Sequence, residues 1–263
     1  MKRVRVLIAK EWEEVFRNRI VLFTVAFLPL LLTGLPLGIL YAMREAGDLG
    51  GMSTVDMPAE FATLCGGLSG AECGQYFLVS QFMLLFMMLP LIIPATIASY
   101  SIVGEKTTRT LEPLLATPVT DLELLAGKGL AAAIPAILAT WGAFLVYAIG
   151  ARLLAISPAV VARLADPLWL LTVFLLGPLL ALAAVSAAVM ISSRVNDPRA
   201  AEQLSSLVIL PLLLLFFGQI SGLFLLNASL ILWMAGGLVI IDAGLLAFAM
   251  QLFQRESILT RWK

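Results

Sequence analysis

Residues 104–128 read GEKTTRTLEPLLATPVTDLELLAGK, the longest polar insert on one side of a chain that is otherwise a succession of apolar runs. Its turn chemistry is dense. Thr110 is placed to cap a helix whose first turn holds Pro113, where a missing N–H removes no intrahelical bond. The spacing predicts a short helix from Leu111 to Ala116. Pro118 ends it, because the residue before a proline is pushed out of the helical region. Thr120 and Glu123 then make a capping-box pattern, flanked by Val119 and Leu124 at the positions of a hydrophobic staple. A second helix therefore starts at once and runs on into the next apolar stretch. Two capped helices joined by a rigid proline turn offer a surface on which another protein can push; the plainer reading is a well-made re-entry turn between membrane spans.

The surrounding composition sets the scene for that turn. Of 263 residues, 61% are hydrophobic and 13% charged, with a mean hydropathy of +1.01. A soluble domain carries about 25% charged residues, so this chain has too little polar surface to face water all round. It reads as an all-α integral membrane protein. A bilayer core needs about 20 apolar residues per helix, and six stretches qualify: Ile20 to Met43, Phe77 to Val103, Gly129 to Gly150, Leu168 to Ser193, Leu204 to Leu226 and Leu230 to Phe253. The last two are separated only by Asn227 to Ser229, which predicts a tight turn. Pro29, Pro36, Pro90, Pro94, Pro135, Pro178 and Pro211 fall within the spans, where kinks are tolerated once neighbours satisfy the freed carbonyls.

Lys and Arg counts orient the spans. Lys2, Arg3, Arg5, Lys10, Arg17 and Arg19, then Lys106, Arg109 and Lys128, then Arg194, Arg199, Arg255, Arg261 and Lys263 fall on one side, against Arg44, Arg152 and Arg163 on the other. This bias predicts that both termini and the 104–128 loop are cytoplasmic in a multi-pass protein of the cell membrane. Residues 1–19 are too charged for a signal peptide. They read as an amphipathic helix lying in the membrane interface, with Val4, Ile8, Trp12, Val15 and Phe16 on the apolar face and Lys10, Glu11, Glu13, Glu14 and Arg17 on the rest. Residues 20–263 form the six-span domain.

The outer loop, residues 44–76, is Gly-rich and acidic and holds both cysteines of the chain, Cys65 and Cys73. An oxidising exterior would favour a disulfide between them. The turn SSRVNDPRAAEQL, residues 192–204, has Asp197 as N-cap and Pro198 at the first helical position. Asp242 is the clear mid-span ionisable residue, and a carboxylate there needs a cavity or a partner. It is either part of a transport path or a hydrogen-bonded packing group. Small-residue spacings at Gly34 and Gly38, Gly218 and Gly222, and the pair Gly236 and Gly237 would let helices approach closely.

The run from Gly104 to Lys128 resembles the cytoplasmic signature of ABC-2 type transporter permeases, whose pattern combines GEK, TLEPLLATPVS and LLLGK. Thr107 stands where that pattern usually has an acid, and Arg109 where it often has glycine. The turn around Asp197 and Arg199 resembles the second cytoplasmic turn of the same family, and Lys10 with Glu11 resembles the KE pair of its interfacial helix. The resemblance implies that the short helix is a coupling helix docking on a separate cytoplasmic ATPase, with Glu105, Lys106, Arg109, Thr110, Leu111, Glu112, Pro113, Leu114, Leu115 and Pro118 as its coupling residues. It further implies two ATPase copies, a second permease chain, identical or related, and membrane lipid as partners. The sodium-efflux and drug-efflux permeases of the family are similar in the same core, and the family is mostly made of exporters.

Function classes can then be compared. The sequence contains no GxxxxGK[ST] phosphate loop, so ATP and Mg belong on the partner ATPase and this chain itself takes no cofactor or metal. An ion-coupled secondary transporter using Asp242 is the alternative; such carriers ordinarily show several mid-span ionisable groups and broken helices. With no His in the chain, a Ser-His pair is excluded, and a single mid-span Asp leaves no aspartyl dyad. A net charge of zero gives no indication of nucleic acid. The reading is a non-catalytic permease subunit of an ATP-driven ABC exporter.

Overall fold

The computed structural model of the chain describes residues 2–46, 68, 70–108, 119–223 and 227–252. Among them every regular element is a helix. Helix α1 (Lys2–Arg17) breaks for one residue at Asn18, whose carbonyl accepts the Leu22 amide at 2.9 Å, and α2 (Arg19–Ala46) follows. The next two helices, α3 (Gly70–Phe86) and α4 (Leu89–Thr107), make one span interrupted at residues 87–88. Pro90 lies in the first turn of α4, where it has no hydrogen bond to remove. The last part of the 104–128 segment already belongs to α5 (Asp121–Leu154). The fourth span is assembled from α6 (Pro158–Leu164), α7 (Pro167–Leu171), a π-helical turn (Thr172–Leu176) and α8 (Gly177–Arg194). The fifth is α9 (Pro198–Ser206), a 3₁₀ turn (Leu207–Ile209) and α10 (Leu210–Ile220), and the sixth is α11 (Ala228–Leu252).

Among the described residues six helical stretches are therefore long and apolar enough to cross a membrane: Val21–Glu45, Gly70–Thr107, Leu122–Leu154, Pro158–Arg194, Pro198–Ile220 and Ala228–Gln251. The chain is an all-α multi-pass membrane protein. Several spans outrun their apolar windows because helix ends are set by caps rather than by hydropathy. The expected outer loop, residues 44–76, loses its last part to α3, which starts at Gly70. The expected tight turn at Asn227 is a correction of a different kind. Helix α10 stops early: the Gly222 amide bonds the Gln219 carbonyl and the Leu223 amide the Gly218 carbonyl, both at 3.0 Å. This is a Schellman motif, with Gly222 at φ 71° in the left-handed position that glycine accepts without strain. Asn227 belongs to the following helix, its Oδ1 accepting the Leu230 amide at 2.7 Å.

Helix α4 is the hub, packed on α8, α5 and α9, while α2 and α1 lie along α5 and α11 lies along α8. In a bilayer the lipid tails are as apolar as the side chains, so close packing holds helices together. Accordingly α8 presents Ala181, Ala184 and Ala188, all fully buried. Among the described residues, the expected close approaches at Gly34, Gly38, Gly236 and Gly237 do not occur, since a Cβ at any of them would meet nothing within 4 Å. They occur at Gly127, where a Cβ would lie 2.9 Å from the Leu7 Cβ, and at Gly150, where it would lie 2.7 Å from the Leu37 methyls.

One face of the bundle gathers α1, the base of the 104–128 segment and the 194–198 turn; we call it the basic face. On the opposite face Arg163 lies against the rings of Tyr76 and Trp169 and bonds Asp166 at 2.6 Å. Gln75 there accepts the Ile156 amide at 2.9 Å, and Arg44 bonds the Leu153 carbonyl at 2.7 Å.

Candidate functional site

The 104–128 segment leaves from the last turn of α4 and returns into the first turns of α5. Its return is built as its sequence dictates: the Thr120 side chain accepts the Glu123 amide at 3.2 Å and Glu123 accepts the Thr120 amide at 3.0 Å, a full capping box. Val119 packs on the core and Leu124 is buried in it. The short helix from Leu111 to Ala116 lies outside the described residues, as do Arg109, Thr110, Leu111, Glu112, Pro113, Leu114, Leu115 and Pro118.

What the structure places at the base of the segment is a buried charge network. Glu105, in the last turn of α4, and Lys128, two turns into α5, stand 2.7 Å apart, with side chains 4% and 2% exposed. The Lys128 ammonium also bonds Glu11 of α1 at 2.8 Å and Ser101 at 2.9 Å. Ser101 donates to the other Glu11 oxygen at 2.5 Å, and Lys10 bonds the second Glu105 oxygen at 2.5 Å. Two ammonium and two carboxylate groups thus neutralise one another. Taking charges out of water is costly, and such a set is tolerable because opposite charges meet within it and Ser101 bonds both Glu11 and Lys128.

Helix α1 therefore does something its pattern did not predict. Glu11, expected on its polar face, is buried, and the stripe turned to the bundle is Leu7, Glu11 and Val15. Phe16, expected on the apolar face, is exposed. The stripe aligns with α5: Leu7 meets Gly127, Trp12 Nε1 donates to the Ala131 carbonyl at 3.0 Å, and Arg3 stands 3.7 Å from Glu123. Burial alone would raise the Glu11 pKa, but the Lys128 ammonium, aided by Ser101 and Lys10, pulls it below the usual carboxylate range. Burial alone would lower that of Lys10; its hydrogen bond to Glu105 and the charges of Glu105 and Glu11 reverse this and hold it above the usual lysine value. Glu11, Glu14 and Glu105 bring ligand atoms within 4.8 Å of one another. Lys10 and Lys128 already occupy the positions between them, so the cluster's chemistry is that of an ion-pair network.

Lys106 reaches the Ser193 carbonyl at 3.3 Å and so ties the end of α4 to the end of α8. Asp197 caps α9 by accepting the Arg199 amide at 2.9 Å, with Pro198 behind it, as its sequence requires. The Arg199 side chain is exposed. Helix α9 is then fastened to α4 by Thr96 to Glu202 at 3.1 Å and Ser99 with Ser205 at 2.9 Å. Asp242 is not part of this assembly; it is buried in α11. Cys73 is fully buried beside Leu68 and Phe77, and Cys65 lies outside the described residues.

Sequence reasoning named Glu105 as a contact surface and missed Lys128 and Ser101. The signal was present: a lone Lys in the apolar run LLAGKGLAAA needs a counter-charge, and Lys10 with Glu11 and Glu105 were the charges available. Compared with known proteins, the chain matches the family described as ABC-2 family transporter protein over residues 5–256. None of the curated proteins matches it.

Proposed function

The chain belongs to the ABC-2 transporter family, a membrane permease and non-catalytic component of an ABC transporter, and from that premise we propose that it couples ATP hydrolysis on a separate ATPase to export. The basic face is cytoplasmic in this reading, following the excess of Lys and Arg there, and both termini are on that side of the cell membrane. Two ATPase subunits carry ATP and Mg, and a second permease chain completes the unit.

The observation that carries the proposal is the clamp at the base of the 104–128 segment. A loop that is to transmit force must be stiff where it enters the membrane, and Glu105 with Lys128 locks its two ends together and to α1. Force applied between residues 109 and 118 then moves α4, α5 and α1 as one body. Helix α9, bonded to α4, gives the second contact around Asp197 and Arg199. Export is favoured because the family is mostly made of exporters. The test is reconstitution with the cognate ATPase in vesicles: ATP-dependent substrate movement away from the ATPase side is expected. Transport driven by an ion gradient without ATP would overturn the proposal in favour of a carrier using Asp242.

A further inference from the structure

Helices α5, α8 and α11 leave between them a cleft of about 420 Å³ near the basic face. Its rim residues Leu122, Leu130, Leu246 and Met250 are half exposed, so it opens sideways at the depth of the hydrocarbon. Ser186 is the one polar side chain in its wall, and the Ser186 hydroxyl is buried with no hydrogen-bond partner among the described residues.

Asp242 lies just beyond the cleft's lining, on the same stripe of α11, one helical turn before Leu246 and about two before Ala249. The residue is 5% exposed, and neither carboxylate oxygen has a hydrogen-bond partner among the described residues. No Lys or Arg occurs in α11, and the one in α8 is Arg194 at its exposed end. On the third helix, Lys128 is engaged by Glu11 and Glu105, and Arg152 lies exposed in the last turn. Among the described residues nothing thus supplies a counter-charge to a carboxylate held inside the bundle, although an uncompensated charge at that depth costs about 3 kcal/mol or more.

We propose that this is a ligand site: the cleft and Asp242 together bind a lipophilic organic cation that enters from the leaflet on the basic face. The apolar body fills the cleft, and the positive charge is drawn to Asp242, relieving the buried carboxylate. A lipophilic anion would be repelled, and a neutral molecule of the same shape would gain from the cleft alone. That this ligand is also the exported cargo rests on the permease reading above; the binding itself does not.

The test uses the full chain in lipid nanodiscs without ATPase, with tetraphenylphosphonium as probe and tetraphenylborate as its anionic counterpart of similar shape. Saturable binding of the cation and none of the anion is expected. Asp242→Asn, which keeps the shape and removes the charge, should weaken cation binding at least about tenfold, as expected for loss of a desolvated charge pair. Asp242→Glu should retain most of it, and Ala249→Trp, which fills the cleft, should abolish it with the carboxylate intact. Equal cation binding by wild type and Asp242→Asn, equal binding of cation and anion, or no saturable binding to wild type would each overturn the site. Should Asp242→Asn fail to fold, the Glu and Trp variants decide the matter by the same criteria. Binding without ATP-driven movement of the probe would leave the site standing and refute its role in export.

Discussion

Glu105 Oε2 and Lys128 Nζ stand 2.7 Å apart, so the segment that interrupts the second and third spans leaves and re-enters the bundle through one buried ion pair. That pair is itself held by Lys10 and Glu11 of α1. A helix at the start of the chain and a loop in its middle are thereby made one mechanical unit, and each charge in it can be tested separately.

Lys128→Met keeps the length of the side chain and removes the cation, leaving Glu11 and most of Glu105 buried without their shared partner. Breaking a buried pair in this way costs about 3–5 kcal/mol, and a loss of that size is expected in unfolding by detergent titration. Lys128→Met combined with Glu11→Gln should recover part of it, because the unpaired carboxylate is then gone. A double variant as unstable as the sum of the two single ones would show that the residues do not form a network.

The pKa directions define a pH window. Glu11 is depressed, so its contribution is complete above the ordinary glutamate value of about 4.3 and is lost as pH falls through the lower value it has in the folded protein. Lys10 is raised, so its contribution is complete below the ordinary lysine value of about 10.4 and is lost only as pH rises through its higher folded value. Amide exchange protection of α1, corrected for intrinsic rates, should be flat from about pH 5 to 10 and fall outside that range. A midpoint near neutrality would contradict the assignment.

The sequence made some of this legible and not the rest, for physical reasons. The six spans follow from apolar length, and the Thr120–Glu123 box and the Asp197 cap follow from local chemistry within a few residues, so both could be read directly. The clamp could not, because it pairs residues from three distant parts of the chain, and helical periodicity assigned Glu11 to solvent by residue type alone. Breaks in spans were also hidden: Pro90, Pro178 and Pro211 read as kinks, whereas each lies in the first turn of a new helical segment. The glycine spacings misled for a related reason. Close approach depends on what faces a glycine, and it is Gly127 and Gly150 that face a neighbouring side chain within 3 Å.

Gly127→Val tests the docking of α1 without touching a charge. Its Cβ would stand 2.9 Å from the Leu7 Cβ, and since that contact is near the Leu7 backbone rather than a flexible tip, the helix must shift. A destabilisation of about 1–3 kcal/mol is expected from overpacking, together with faster proteolysis of the first residues. Leu7→Ala leaves its own Cβ in place but removes the bulk beyond it, so it should relieve part of the effect. Unchanged α1 protection in Gly127→Val would show that the contact with Leu7 is not tight.

Coupling and clamp can be separated by where a variant acts. Glu112→Arg and Leu115→Arg change residues of the proposed contact with the ATPase, beyond the clamp. These variants should leave the permease folded and its α1 protection intact, yet abolish co-purification with the ATPase or leave ATP hydrolysis without transport. Lys128→Met acts behind the contact. In detergent conditions where it remains folded, it should still retain the ATPase while transport per ATP falls, because force on residues 109–118 would reach a loosened base. Labelling of introduced cysteines fixes the side on which this happens: Ser53→Cys and Asp166→Cys should react from outside, Thr107→Cys and Arg199→Cys only after permeabilisation. Outside labelling at Thr107 would invert the orientation and remove the ATPase from this face, and normal complex formation with full transport in both Arg variants would sink the coupling role of the segment.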